Sequence, residues 1–246
     1  MKKLRVGILF GGRSGEHEVS LLSAASVLNA IDKNKYEVVP IGITKEGRWL
    51  TAGDAEVLLR GQGDARSNLR AGDPDATPGA AVLASGQAVV VPPEPQRPGG
   101  SLAPFQTESL TRRASDRAIN VDIIFPVLHG TFGEDGTIQG LLEMADIAYV
   151  GADVLGSAAG MDKDVMKRPF AAAGLPIVRH VTTRRHLWIA NPASCHTLAA
   201  DTLHYRVFVE PANVGSSVGI STARNDRQHI KKPCLWGKYA HQQSAR

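Results

Sequence analysis

Chemistry in this chain is most legible in the run VFVEPANVGSSVGIS, Val207 to Ser221. Val207, Phe208 and Val209 suit a buried strand, and Pro211 ends regular ladder pairing. Gly215, Ser216, Ser217, Val218 and Gly219 then form a loop whose glycines allow a tight turn, aiming several backbone N–H groups at one anion while the two serines add hydroxyl donors. The pattern fits a phosphate-holding loop, and an ordinary Gly/Ser hairpin has the same composition. A second candidate lies near the start, where the apolar run Leu4 to Phe10 leads into GGRSGEHEVSL. Its Glu16 stands where a strand gives way to a helix, a place that suits a ligand-binding carboxylate and equally a solvated acid favoured by the helix dipole. A third is the loop HGTFGEDG, which opens on His129 directly after an apolar strand. A lone loop histidine is most often a hydrogen-bonded structural residue.

The elements that must position these groups follow from periodicity. Leu4 to Phe10 predicts a strand of a doubly covered parallel sheet, Glu16 to Ile31 a helix, and Tyr36 to Ile43 the returning strand. Together they make a right-handed βαβ unit, and ligands of such sheets sit at the carboxyl ends of the strands, where Gly11 to His17 lies. Thr51 to Asp116 is rich in Pro and Gly and reads as surface insertion, with a strand pair inside Ala81 to Val91. Ile119 to Leu128 predicts a further buried strand, Thr137 to Ala145 a helix, and Ala148 to Val150 a short strand. Val154 to Gly174 predicts a helix broken at Pro169, Pro176 to Thr182 a strand, and His186 to Leu203 a helix. The order is that of an α/β or α+β protein in two parts, with a boundary near Gly156 to Met161.

Composition narrows the classes. The 246 residues, 43% hydrophobic and 21% charged, are those of a soluble globular protein with room for one large or two small domains. No apolar run approaches the roughly 20 residues of a membrane span. The basic start followed by a short apolar run leads into Gly-Gly-Arg-Ser, which is a first strand rather than a signal peptide. Cys195 and Cys234 form no metal or redox spacing, so a cytoplasmic location is expected. The net charge of +4 is concentrated in Ala223 to Arg246, where six Lys/Arg meet one Asp, so no nucleic-acid surface is expected on the core. GGRSGE lacks the G-x-G-x-x-G order, which argues against a dinucleotide-binding dehydrogenase.

Five motifs taken in order, GGRSGEHEVSL, FPVLHGTFGEDGTIQGLLE, SAAGMDKDVMKR, AGLP and PANVGSSVGIS, closely resemble the D-alanine–D-alanine ligases of peptidoglycan synthesis. The resemblance covers Leu4 to about Thr222, is poor in the insertion and uneven between Arg184 and Arg206. It implies an N-terminal parallel-sheet, Rossmann-like domain over 1–155 (the insertion at 51–118) and part of an ATP-grasp domain over 156–222. It also implies ATP with Mg²⁺ (or Mn²⁺), D-alanine as substrate, and a homodimer in the intact family. The implied reaction is attack of one D-alanine carboxylate on the γ-phosphate of ATP, followed by displacement of phosphate by the amine of the second. Such chemistry is catalysed by positioning and charge neutralisation. By the same resemblance Glu16 binds the ammonium of the first D-alanine and His129 lies beside the substrate carboxylates. Lys163 contacts ATP phosphate, Ser216 links the phosphate loop to Glu16, and Gly215, Ser217, Val218 and Gly219 surround the phosphates.

Two departures stand out. Glu210 occupies the place of a family lysine that pairs with ATP phosphate. Two unit charges about 4 Å apart at an effective dielectric near 20 interact by roughly 4 kcal/mol, so the reversal is expected to weaken ATP binding and Glu210→Lys to restore it. The family's metal ligands and the arginine of its carboxy-terminal part have no counterpart in this sequence, so no metal site is expected. The stretch 223–246 shows neither helical nor strand periodicity and reads as a disordered or non-native end, such as a shifted reading frame produces. Three readings follow: a D-alanine–D-alanine ligase, an inactive relative that keeps only ligand binding, and another ATP-grasp enzyme such as a D-alanine–D-lactate ligase.

Overall fold

A computed structural model describes residues 2–51, 78–92, 100–104, 119–204, 206–216, 219–225 and 238–243. The chain divides into two compact units, Met1–Leu155 and Gly156–Arg246.

The described elements of the first unit are β1 (Leu4–Gly11), α1 (His17–Ala30), β2 (Tyr36–Ile43), β3 (Trp49–Thr51), α2 (Pro78–Ser85), β4 (Gln87–Val90), β5 (Gly100–Pro104), β6 (Ile119–Val121), β7 (Ile123–Pro126) and α3 (Thr137–Met144). Strand β1 lies between β2 and β7, parallel to both, with Leu9 opposite Ile41 on one side and Pro126 on the other. Its side chains alternate as a doubly covered strand requires. Val6, Ile8 and Phe10 pack with Leu21, Ala24 and Leu28 of α1, whereas Leu9 joins Ile138 and Leu142 of α3 in a second cluster. Gly7 is where the sheet closes up, since a Cβ there would press on the side chains of Ile124 and Ile41.

Beyond β2 the sheet continues antiparallel through β3, β4, β5 and β6. This corrects the reading of Thr51 to Asp116 as surface insertion. Residues 78–92 and 100–104 supply a helix and two strands, and Val82, Val89 and Leu102 are fully buried in the two core clusters. The strand pair expected inside Ala81 to Val91 is instead α2 followed by β4, turned at Gly86. Local composition hid this because the apolar runs are short and lie between Pro/Gly stretches. The single strand expected over Ile119 to Leu128 is split at Asp122, whose N–H donates to Arg5 O (2.8 Å) and whose Oδ2 accepts from Arg5 N–H (2.6 Å). Its first part borders β5 and its second borders β1, so the sheet curls back on itself. The short strand expected over Ala148 to Val150 is a single parallel bridge, Ile124 to Tyr149.

The described elements of the second unit and its approach are α4 (Val154–Met161), α5 (Lys163–Ala172), β8 (His180–Arg184), α6 (Arg185–Ala190), α7 (Pro192–Leu203), β9 (Val207–Pro211), β10 (Ser221–Ala223) and β11 (Lys238–Gln243). The helix break expected at Pro169 falls at Asp162. Its carboxylate caps α5 by accepting the N–H groups of Asp164 and Val165, while Pro169 stays inside the helix. The strand expected over Pro176 to Thr182 begins only at His180. An antiparallel sheet in the order β10-β9-β11-β8 packs on α7 around Val181, Leu203, Val207, Val209 and Ala223. Lys238–Gln243 was expected to lack regular structure. It is a strand paired on both sides, because β8 and β9 present facing edges that only a third strand can satisfy.

Candidate functional site

In the first unit two loops leave the carboxyl ends of neighbouring parallel strands, one after β1 and one after β7. Glu16 is the N-cap residue of α1, yet its side chain makes no capping hydrogen bond, so the carboxylate is not engaged in starting the helix. It points at the other loop: a Cβ on Gly130, whose φ is +69°, would collide with Glu16 Oε2. Glu16 therefore lies against the turn that carries His129.

The loops are stitched by side chains that the sequence reading passed over. Ser14 Oγ donates to His129 O (2.7 Å) and accepts the N–H of Glu16 (3.2 Å). Ser20 Oγ accepts the N–H of Gly11 and donates to Val127 O, joining the ends of the two strands. Ser23 Oγ meets His129 Nε2 at 2.9 Å. The buried His17 holds Gly12 O through Nδ1 (2.7 Å), and the Arg13 guanidinium lies 5.0 Å from the centre of the Phe132 ring. The serine spacing in SGEHEVSLLS was a usable signal, since positions 20 and 23 recur on one helix face.

The acids of GEDG hold the His129 loop in shape. Glu134 accepts the N–H of Gly130 (2.8 Å), and Asp135 accepts those of Phe132 and Thr137 (2.9 and 3.0 Å). Burial pushes the Asp135 carboxyl up, but these hydrogen bonds outweigh it and hold the group below the usual aspartate range.

In the second unit the loop after β9 is exposed at Ser216 and Gly219, both with positive φ (49° and 76°). A Cβ on Gly215 would meet nothing within 4 Å. Ser217 and Val218 lie outside the described residues. Lys163 fastens the loop: its N–H donates to Ala212 O (2.8 Å), and its Nζ donates to Pro211 O (2.9 Å) and Val214 O (2.7 Å). Glu210 Oε2 stands 3.8 Å from the same ammonium and is only 6% exposed. One helical turn on, Lys167 is 7% exposed with an Nζ that has no hydrogen-bond partner among the described residues. Burial drives its pKa below the ordinary lysine value, Glu210 pulls it back up, and Lys163 lowers it further. Glu210 is thus a buried counter-ion to two lysines, where the sequence reading set it facing ATP phosphate. Among the described residues no group of three His, Cys, Asp or Glu side chains could hold a metal ion. No helix there is long and apolar enough to cross a membrane.

A family described as the D-ala D-ala ligase N-terminus matches residues 5–152, and its C-terminal counterpart matches residues 170–234. The chain belongs to the D-alanine–D-alanine ligase family. The D-alanine–D-alanine ligase of Natranaerobius thermophilus is 42% identical over 245 residues, 97% of this chain and 58% of that protein. That of Paenarthrobacter aurescens is 46% identical over 217 residues, 88% of this chain and 52% of that one. The chain spans little more than half the length of these curated relatives. The ligase match also passes Thr222, where the sequence motifs had run out, and takes in the Arg184 to Arg206 stretch.

Solved structures agree. The chain superposes over its whole length on the VanG D-Ala:D-Ser ligase from Enterococcus faecalis, covering 64% of that chain at 30% identity and a TM-score of 0.76. The D-alanine-D-alanine ligase from Coxiella burnetii gives 29% identity and a TM-score of 0.77, with 63% of that chain covered.

Proposed function

We propose that this chain carries the first-substrate and part of the nucleotide machinery of an ATP-dependent, cytoplasmic, homodimeric ligase that joins two D-alanines. The observation that supports this most is the approach of the Glu16 carboxylate to the His129–Gly130 turn, on loops from adjacent parallel strands. A zwitterionic amino acid needs an anion for its ammonium and a donor for its carboxylate within a few ångströms of each other. Glu16 supplies the first and the His129 imidazole the second.

The described residues fit a nucleotide's phosphates in part. The stretch that begins at Gly215 offers backbone N–H groups and the exposed Ser216 hydroxyl, and Lys163 ties the chain leading into it, at Pro211 and Val214, to α5. Bound ATP supplies the phosphoryl group that activates a carboxylate, and this chain's part is to hold the loop that receives it. The loop amides, with what remains of the Lys163 donors, are the described groups this chain would offer a phosphate.

Calorimetric titration with D-alanine tests the reading. Saturable binding is expected, with Glu16→Gln weakening it at least tenfold and L-alanine binding less well. Equal affinity of the wild type and Glu16→Gln would refute the site. The VanG D-Ala:D-Ser ligase is as similar in structure as the Coxiella enzyme, so D-serine is the competing second substrate. Product analysis in the presence of both amino acids separates them.

A further inference from the structure

His129 has two ring nitrogens, and the structure treats them differently. Nε2 lies 2.9 Å from Ser23 Oγ, whereas Nδ1 has no intramolecular partner among the described residues. The main chain of His129 is pinned separately, by Ser14 Oγ on its carbonyl, and Ser23 is the ring's one hydrogen-bond partner among the described residues. Ser23 sits on α1, inside the first unit, and its hydroxyl bonds nothing else among the described residues. Nearby Ser26, by contrast, turns its hydroxyl back onto Leu22 O in its own helix. A hydroxyl with a single partner satisfies its proton best by donating it. If Ser23 donates to Nε2, that nitrogen must be the unprotonated one, and the proton of the neutral ring must sit on Nδ1.

We propose that Ser23 is a positioning residue that holds neutral His129 in the Nδ1–H tautomer, so that the ring nitrogen with no partner among the described residues is a hydrogen-bond donor for a ligand carboxylate. This rests on the reading of the Glu16–His129 pair as an amino-acid site. A neutral imidazole of the opposite tautomer would present a lone pair to the carboxylate and repel it. A neutral histidine side chain in water prefers the Nε2–H form, so the fold must impose the other, and the Ser23 hydroxyl on the neighbouring helix is placed to do so.

Nitrogen-15 NMR of the imidazole nitrogens tests this on the full chain, read at the alkaline end of a pH series. The wild type is expected to show a protonated Nδ1 and an unprotonated Nε2 at His129. Ser23→Ala is expected to shift His129 towards Nε2–H, and Ser23→Thr, which keeps the hydroxyl, to restore Nδ1–H. A wild type already in the Nε2–H form, or a Ser23→Ala spectrum with the tautomer unchanged, overturns the proposal. In parallel, D-alanine affinity is expected to fall roughly fivefold in Ser23→Ala, the worth of one ordinary hydrogen bond. If the tautomer responds as expected while no D-alanine binds to any variant, the positioning role stands and the amino-acid reading fails.

Discussion

The two units fasten their loops by different chemistry. In the first, neutral hydroxyls do the work: Ser14, Ser20 and Ser23 bridge the β1 and β7 loops, and the charged Glu16 is left beside the turn it faces. In the second, a charge does it: the Lys163 ammonium is committed to two loop carbonyls, and Glu210 is drawn in beside it. Neutral tethers hold geometry without adding charge to the site. A lysine donating to two carbonyls holds geometry too, but fewer of its three donors remain for phosphate, and the nearby carboxylate lowers the positive potential further.

The largest effect that sharpens this contrast is expected at Glu210. Reversing it in Glu210→Lys replaces the counter-ion with a third ammonium beside Lys163 and Lys167, and breaking a buried pair typically costs about 3–5 kcal/mol. Urea unfolding is expected to show that loss, and ATP titration to show no gain, against the gain that charge repulsion alone predicts. A stable Glu210→Lys protein with raised ATP affinity would show that the carboxylate faces the nucleotide after all.

In the first unit the matching break is Gly130→Ala. The residue is held at φ +69° with the Glu16 carboxylate where a Cβ would go, so strain of about 1–3 kcal/mol and loss of D-alanine binding are expected together. A denaturation midpoint and a D-alanine titration measure the two, and an unchanged titration would separate Gly130 from the site.

Lys167→Met is expected to stabilise. It removes a buried ammonium that lacks a hydrogen-bond partner, a desolvation penalty of about 1–3 kcal/mol. The sign with pH follows from linkage. Burial lowers the folded pKa below the unfolded value, so between the two the unfolded chain binds more protons and wild-type stability rises with pH. That alkaline rise is expected to flatten in Lys167→Met, and identical pH profiles would remove Lys167 from the triad.

The smallest effect is expected where charge is plainly exposed. Lys45 pairs with Glu18, both well open to solvent, and its hydrogen bond is the main cause of the lowered Glu18 pKa. Lys45→Ala is expected to change stability by less than about 1 kcal/mol, and to do so less at high salt. A larger loss would mean that surface charge, too, holds the first unit together.

What the sequence determined by itself is whatever depends on neighbours along the chain. The β1–α1–β2 unit was legible because strand and helix periods are local, and the limits of β2 agree residue for residue. Glu16 and His129 were legible as loop residues at strand ends, and the tertiary structure put them side by side because β1 and β7, more than a hundred residues apart, are neighbours in the sheet. The same long-range pairing made strands of residues 87–90, 100–104 and 238–243, whose composition does not announce them: an edge with unpaired N–H and C=O groups selects its partner by hydrogen bonding, whatever the partner's side-chain pattern. The fate of Glu210 was likewise settled in three dimensions. Its charge is written in the sequence, but whether that charge meets a phosphate or a lysine depends on helix α5 lying against the β9 loop, where Lys163 reaches it.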